Sequence, residues 1–304
     1  MAEIPGAPAW ARSSALLRIK DSTTLEDLSP EWAWGGSSGA GVRVAILDSG
    51  VECDHPALHG TVDHDGGVEI VVEKDGSVRE IEGAHEDDFG HGTACAGIVH
   101  AIAPQATITS VKVIGQRSGT AACFLRGLAW AAQRDFDVIN VSLGTSRRDW
   151  ALPFYEICDA AYFRGCFVTT AANNVQRTSF PSLYASVTSV ACNLSSDPFR
   201  FHFNPDPPTE FLARGIDLEV PWRDASMIRS TGNSFAAPHI AGIAALILSK
   251  HSGLRPFQLK TVLWATAANV LEAHDAPARM SRAIPLRSLS LRGSAAFNVH
   301  ASSR

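Results

Sequence analysis

From about residue 42, short β-branched runs alternate with longer stretches of helical pattern. "VRVAIL" (42–47), "TITSVKVI" (107–114), "DVINVSL" (137–143), "CFVTTAA" (166–172) and "VTSVACN" (187–193) predict strands. "HGTACAGIVHAIA" (91–103), "AACFLRGLAWAAQR" (121–134) and "WALPFYEICDAAYFRG" (150–165) predict the helices between them. A later segment, "STGNSFAAPHIAGIAALILSK" (230–250), is apolar nearly all round and predicts a buried helix. Pro238 lacks an N–H and is tolerated only near a helix start, which puts Ser234 on or just before the first turn. Such alternation implies an α/β fold, doubly wound, with a mostly parallel sheet covered by helices on both faces. Residues 68–82, "VEIVVEKDGSVREIE", read as a hairpin turning at Asp75-Gly76. Residues 197–210 read as a Pro-rich surface loop, and the chain beyond about 272 shows little periodic pattern.

Composition narrows the class of protein. The 304 residues are 45% hydrophobic and 19% charged, as in an ordinary globular chain. The net charge of −5, with scattered Lys and Arg, offers no basic stripe for nucleic acid. No apolar run reaches the ~18 residues of a membrane helix. The N-terminal sequence lacks a basic region followed by an apolar stretch, so a cytoplasmic location is expected, with secretion open to a processed form. Cysteines 53, 95, 123, 158, 166 and 192 follow no disulfide or metal spacing and agree with a reducing compartment.

Three polar residues stand where an element meets a loop. Asp48 ends the first apolar strand, in "AILDSGVECDHPAL". His91 opens a helix in "DDFGHGTACAGI", and Ser234 opens the apolar helix. Each has a structural reading: a turn-former, a packed histidine and a helix N-cap. Together they are the parts of a hydroxyl-activating relay. A serine is a weak nucleophile until a histidine takes its proton, and a carboxylate holds that ring in the right tautomer. The chain order Asp…His…Ser excludes the α/β-hydrolase and chymotrypsin arrangements.

That order, with "VAILDSGVECDHPAL", "GHGTACAGIVHAIAP" and "STGNSFAAPHIAGIAALI", resembles the subtilisin family of serine proteases over about residues 41–270. Intervening segments "SVKVIG", "DVINVSLG" and "TTAANN…SFPSLYASVTSVA" are similar as well. The resemblance implies Asp48 as the orienting carboxylate, His91 as the general base and Ser234 as the nucleophile. It implies Asn174 as an oxyanion donor, beside the N–H of Ser234. It also implies cleft walls at Ser118-Gly119-Thr120 and Ser142-Leu143-Gly144, pairing with a peptide or protein substrate as added strands. The implied domains are an N-terminal arm (1–40), a catalytic domain (41–271) and a C-terminal tail (272–304). The expected activity is that of an endopeptidase, in intracellular processing or maturation. The alternative is a catalytically weak relative that binds peptides or partners, and a third reading is a metal-dependent hydrolase built on "HEDDFGH" (85–91).

Several positions depart from the family pattern. The helix after His91 lacks the Asn/Gly-rich interruption that binds calcium, and Ala57 replaces an aspartate ligand, so no metal and no cofactor are expected. Asn233 and Phe235 replace a threonine and a methionine around Ser234, and Asn173 replaces a glycine. Asn233 retains a donor, while Phe235 narrows the leaving-group side or packs in the core. The stretch before Asp48 is too short for the family's folding-assistant prosegment. Arg177 lies where the specificity pocket closes and is expected in solvent. Cys95, one helical turn after His91, is expected beneath the ring as a buried thiol that makes the enzyme mercury-sensitive. The acidic run Glu80, Glu82, Glu86, Asp87 and Asp88 borders His91 and reads either as a solvated face or as a local potential that favours basic residues in the substrate. Partners other than substrate, and the oligomeric state, are not legible.

Overall fold

The computed structural model describes residues 27–116, 119–175 and 177–275. Nine strands form one sheet in the order β3-β2-β4-β1-β5-β6-β7-β9-β8. They are β1 (Arg43–Asp48), β2 (Val62–Val72), β3 (Val78–Glu82), β4 (Thr107–Lys112), β5 (Val138–Val141), β6 (Phe167–Ala171), β7 (Thr188–Asn193), β8 (His202–Phe203) and β9 (Phe211–Arg214). Every pairing from β2 through β9 is parallel, and the antiparallel pairs β2–β3 and β8–β9 close the two edges. A separate hairpin joins β10 (Leu218–Trp222) to β11 (Ser226–Ser230).

The alternation along β1 divides the core in two. Val44 and Ile46 face α2 (His91–Ile102) and α5 (Asn233–Lys250), whereas Ala45 and Leu47 face α3 (Ala121–Ala132) and α4 (Ala151–Arg164). Strands buried on both faces read as continuous apolar runs, which is why periodicity two is absent from "VAIL". Helix α5 runs through the first half-core with a continuous buried stretch, Phe235 to Leu248. It crosses α2 closely: a methyl placed on Gly242 would stand 2.9 Å from Ile102 Cβ. Small residues on both helices thus let two backbones approach and bring their N-termini to one end of the sheet.

The other helices brace this frame. Helix α1 (Pro30–Trp34) lies on α5, where Lys250 Nζ donates to the carbonyls of Glu31 and Gly35, and Trp32 stacks on His251. Helices α6 (Pro256–Thr266) and α7 (Ala268–Asp275) follow. The stretch 197–210 is more than a surface loop: it contains β8, and Phe201 within it is fully buried against Phe211. Among the described residues no helix is long and apolar enough to cross a membrane. Of the expected tail, all beyond 275 lies outside the described residues.

Candidate active site

Asp48 is the last residue of β1 and is 1% exposed. Its Oδ1 accepts from the N–H of Ser49 at 2.8 Å and lies 2.8 Å from His91 Nδ1, with Oδ2 at 2.9 Å from the same nitrogen. A buried carboxylate can only accept, so Nδ1 carries the proton and Nε2 presents its lone pair. Nε2 lies 2.9 Å from Ser234 Oγ. The three side chains that the sequence separates by long stretches therefore meet in one chain of hydrogen bonds. Burial is the largest single influence and disfavours the His91 cation, but the charge of Asp48, its hydrogen bond to the ring and the contact with Cys95 together outweigh it and raise the imidazole above its ordinary value.

His91 owes its position to a carboxylate that sequence reading assigned to a charge run. Asp87 is buried and accepts from the N–H groups of Phe89, Gly90 and Thr93 and from the hydroxyls of Ser49 and Thr93. It thereby serves the free donors at the start of α2, whose N-cap Gly90 has no side chain to do so. Gly92 then lets α2 press against the loop after β1, for a Cβ there would stand 2.0 Å from the carbonyl oxygen of Gly50.

Within the acidic run, three carboxylates have cationic partners and Asp87 is buried. Glu80 pairs with Arg126 at 2.7 Å, Glu82 with Arg134 at 2.5 Å, and Asp88 with Lys112 at 3.2 Å. The residues of "HEDDFGH" do not converge on a cation site: His85 Nε2 bonds to Ser110, whereas Asp87 turns inward to cap α2. Among the described residues, the ligand-type side chains that converge are Asp48, His91 and Cys95, two of which already form the relay.

Ser234 is in the first turn of α5, where Gly232 takes the N-cap position, so it is not the cap. Its N–H is among the first four of the helix, which have no partner inside it. The positive end of the helix favours negative charge there. Pro238 cannot donate to the carbonyl of Ser234 four residues earlier. Ser142 Oγ donates to that carbonyl instead, at 2.8 Å, and accepts from Asn140 Nδ2 at 2.9 Å. Cys95 is fully buried below, its Sγ 3.4 Å from Ser142 Oγ, 3.6 Å from Ser234 O and 3.9 Å from His91 Nδ1. Burial pushes its thiol up, so it stays protonated. Phe235 is buried in the core and also lies against the imidazole, with centroids 5.2 Å apart, and Trp222 meets the ring edge-on at 6.5 Å.

Asn174 follows β6, beyond the sheet's carboxyl edge. Its Oδ1 accepts from the N–H of Asn233 at 2.9 Å, leaving the donor Nδ2 without a partner among the described residues. Asn173 Oδ1 accepts from the N–H of Val175 at 3.0 Å and so turns the chain. Of the expected cleft walls, Ser118 lies outside the described residues. Gly119 donates its N–H to Val113, and Thr120 caps α3 by accepting from the N–H of Cys123. Ser142 points its side chain inward, and Gly144 lies next to Ser179 and Phe180, where Thr145 bridges to Phe180. Arg177 is exposed.

A model of the subtilase family, described as Peptidase_S8, matches residues 39–284. Subtilisin DY of Bacillus licheniformis is 33% identical over 252 residues, covering 77% of this chain and 86% of that protein. Subtilisin E of Bacillus subtilis is 30% identical over 248 residues, 76% of this chain, and the chain spans 62% of its length. Among solved structures, a lanthipeptide protease superposes with a TM-score of 0.61 at 25% identity, over 73% of this chain and 78% of that one.

Proposed function

The chain belongs to the subtilase family of serine endopeptidases, and we propose that it cleaves peptide bonds through an acyl-enzyme on Ser234. The observation that carries this reading is the unbroken bond chain Asp48–His91–Ser234, with 2.8 Å and 2.9 Å links. His91 Nε2 takes the hydroxyl proton as Ser234 Oγ attacks the scissile carbonyl, and Asp48 stabilises the imidazolium that results. The same nitrogen then returns the proton to the leaving amine. Water, activated by the neutral ring, releases the acyl group. Asn174 Nδ2 and the N–H of Ser234 receive the oxyanion.

The substrate is a peptide or protein segment in extended form, lying between the main chain of 142–144 and that around 119–120 within a catalytic domain spanning 41–271. Within the acidic run, Glu80, Glu82 and Asp88 are paired with Arg126, Arg134 and Lys112, which weakens its pull on basic substrate side chains. The role proposed is intracellular processing or maturation. Six unpaired cysteines, four of them buried, support a reducing compartment, and the likeness to a lanthipeptide protease supports processing. Incubation of the purified chain with a peptide library tests the activity. Cleavage by the wild type and none by Ser234→Ala is expected, and equal cleavage by both overturns the reading.

A further inference from the structure

The geometry points to Asn233 as a positioning residue that holds Asn174 with its Nδ2 toward the oxyanion, an inference that rests on the oxyanion role proposed for Asn174. Asn233 stands immediately before the nucleophile, at the first position of α5. Four hydrogen bonds leave this one residue. Its main-chain N–H donates to Asn174 Oδ1 at 2.9 Å. Its side-chain Nδ2 lies 3.2 Å from the carbonyl of Asn173 and 3.3 Å from that of Ala172. Its Oδ1 accepts from the N–H of Cys192 at 2.9 Å.

These partners belong to three pieces of the fold, which Asn233 ties together beyond the end of the β6–β7 ladder. Ala172 and Asn173 continue β6, Cys192 lies in β7, and Asn233 starts α5. A hydroxyl side chain has a single donor hydrogen, whereas an amide offers two donors and an acceptor. Asn233 uses donor and acceptor ends together, so the loop carrying Asn174 is fixed from both its own strand and the next. The bond into Asn174 Oδ1 also settles which end of that amide faces the cleft. With Oδ1 engaged from behind, Nδ2 is the end that projects. Because the Asn233 side chain is bonded to the backbone on all sides, it is not itself an oxyanion donor.

The assignment predicts that Asn233 acts through Asn174 and not beside it. The test compares kcat and KM for wild type, N174A, N233A and the double variant on one peptide substrate, with thermal unfolding recorded for each. N174A is expected to lower kcat about 10²–10³-fold. N233A is expected to lower kcat about 10–10²-fold, the scale of a misplacement near 1 Å, with KM changed less than about twofold. The double variant is expected to fall within about threefold of N174A, because the donor that Asn233 positions has already gone. If N233A does not fold, N233S, which can keep at most one side-chain donation, takes its place. A kcat for N233A equal to wild type despite a lowered unfolding temperature overturns the proposal in favour of a purely structural role. Losses that multiply in the double variant overturn it in favour of an independent donor. An unchanged kcat for N174A removes the oxyanion role of Asn174, and this inference with it.

Discussion

Ser142 donates its hydroxyl hydrogen to the carbonyl oxygen of Ser234, at the place where Pro238 leaves that carbonyl without its helical donor. The proline thus leaves an acceptor open at the backbone of Ser234, the proposed nucleophile, and a residue from the end of β5 fills it. Ser142→Ala leaves that carbonyl and Asn140 Nδ2 short of a partner, at a cost of about 1–3 kcal/mol in unfolding free energy. Denaturant titration reads the loss. Adding Pro238→Ala to Ser142→Ala restores an N–H to the helix and is expected to recover part of it.

With His91 as the proposed general base, the acid limb of kcat/KM is expected to report its ionisation in the free enzyme. Asp48 raises this imidazole above its ordinary value, so the neutral base appears only as pH climbs past that value, about 6.5. Activity is expected to rise with pH along a limb centred above 6.5. Asp48→Asn is expected to move the limb downward and to lower kcat about 10⁴-fold. A pH series on both proteins checks it.

His239, buried in α5, donates Nδ1–H to the carbonyl of Phe235 at 2.8 Å. Burial lowers its value from 6.5 to about 4. Between those values the unfolded chain takes up a proton that the folded chain does not, so stability falls as pH drops through the window and levels out below it. The loss attributable to this residue is up to about 3 kcal/mol. His239→Gln is expected to flatten that part of the stability curve, measured by denaturant titration across pH.

Cys95 lies beneath the relay as a protonated thiol, within 4 Å of both Asp48 and His91. Mercuric ion, which bonds a thiol with loss of its proton, is expected to inactivate the enzyme slowly. Iodoacetamide at neutral pH requires an accessible thiolate and is expected to leave activity intact. Cys95→Val removes the mercury effect, as followed by residual activity.

Much of this molecule is written in local pattern. The runs around Val44, Ile108 and Val138 announce strands by apolar content, and "GHGT" and "GNSFAAPH" place His91 and Ser234 at helix starts. Other parts are not local. Strand β10 contains Pro221, and β11, "SMIRS", has no apolar alternation; both exist because the hairpin pairs with itself and lies on α2. Asp87 reads as one more acid in a charged stretch until the fold turns it inward under Gly90 and Thr93. Asn233 looks like a substitution beside the nucleophile, and its role depends on Ala172 and Cys192, which only the tertiary structure brings near.

The most direct measurement is covalent trapping with a fluorophosphonate, followed by peptide mapping of the adduct. The relay predicts one phosphonylated residue, Ser234, and no labelling in Ser234→Ala or His91→Ala. Labelling that persists in Ser234→Ala, or that maps to another residue in the wild type, contradicts it.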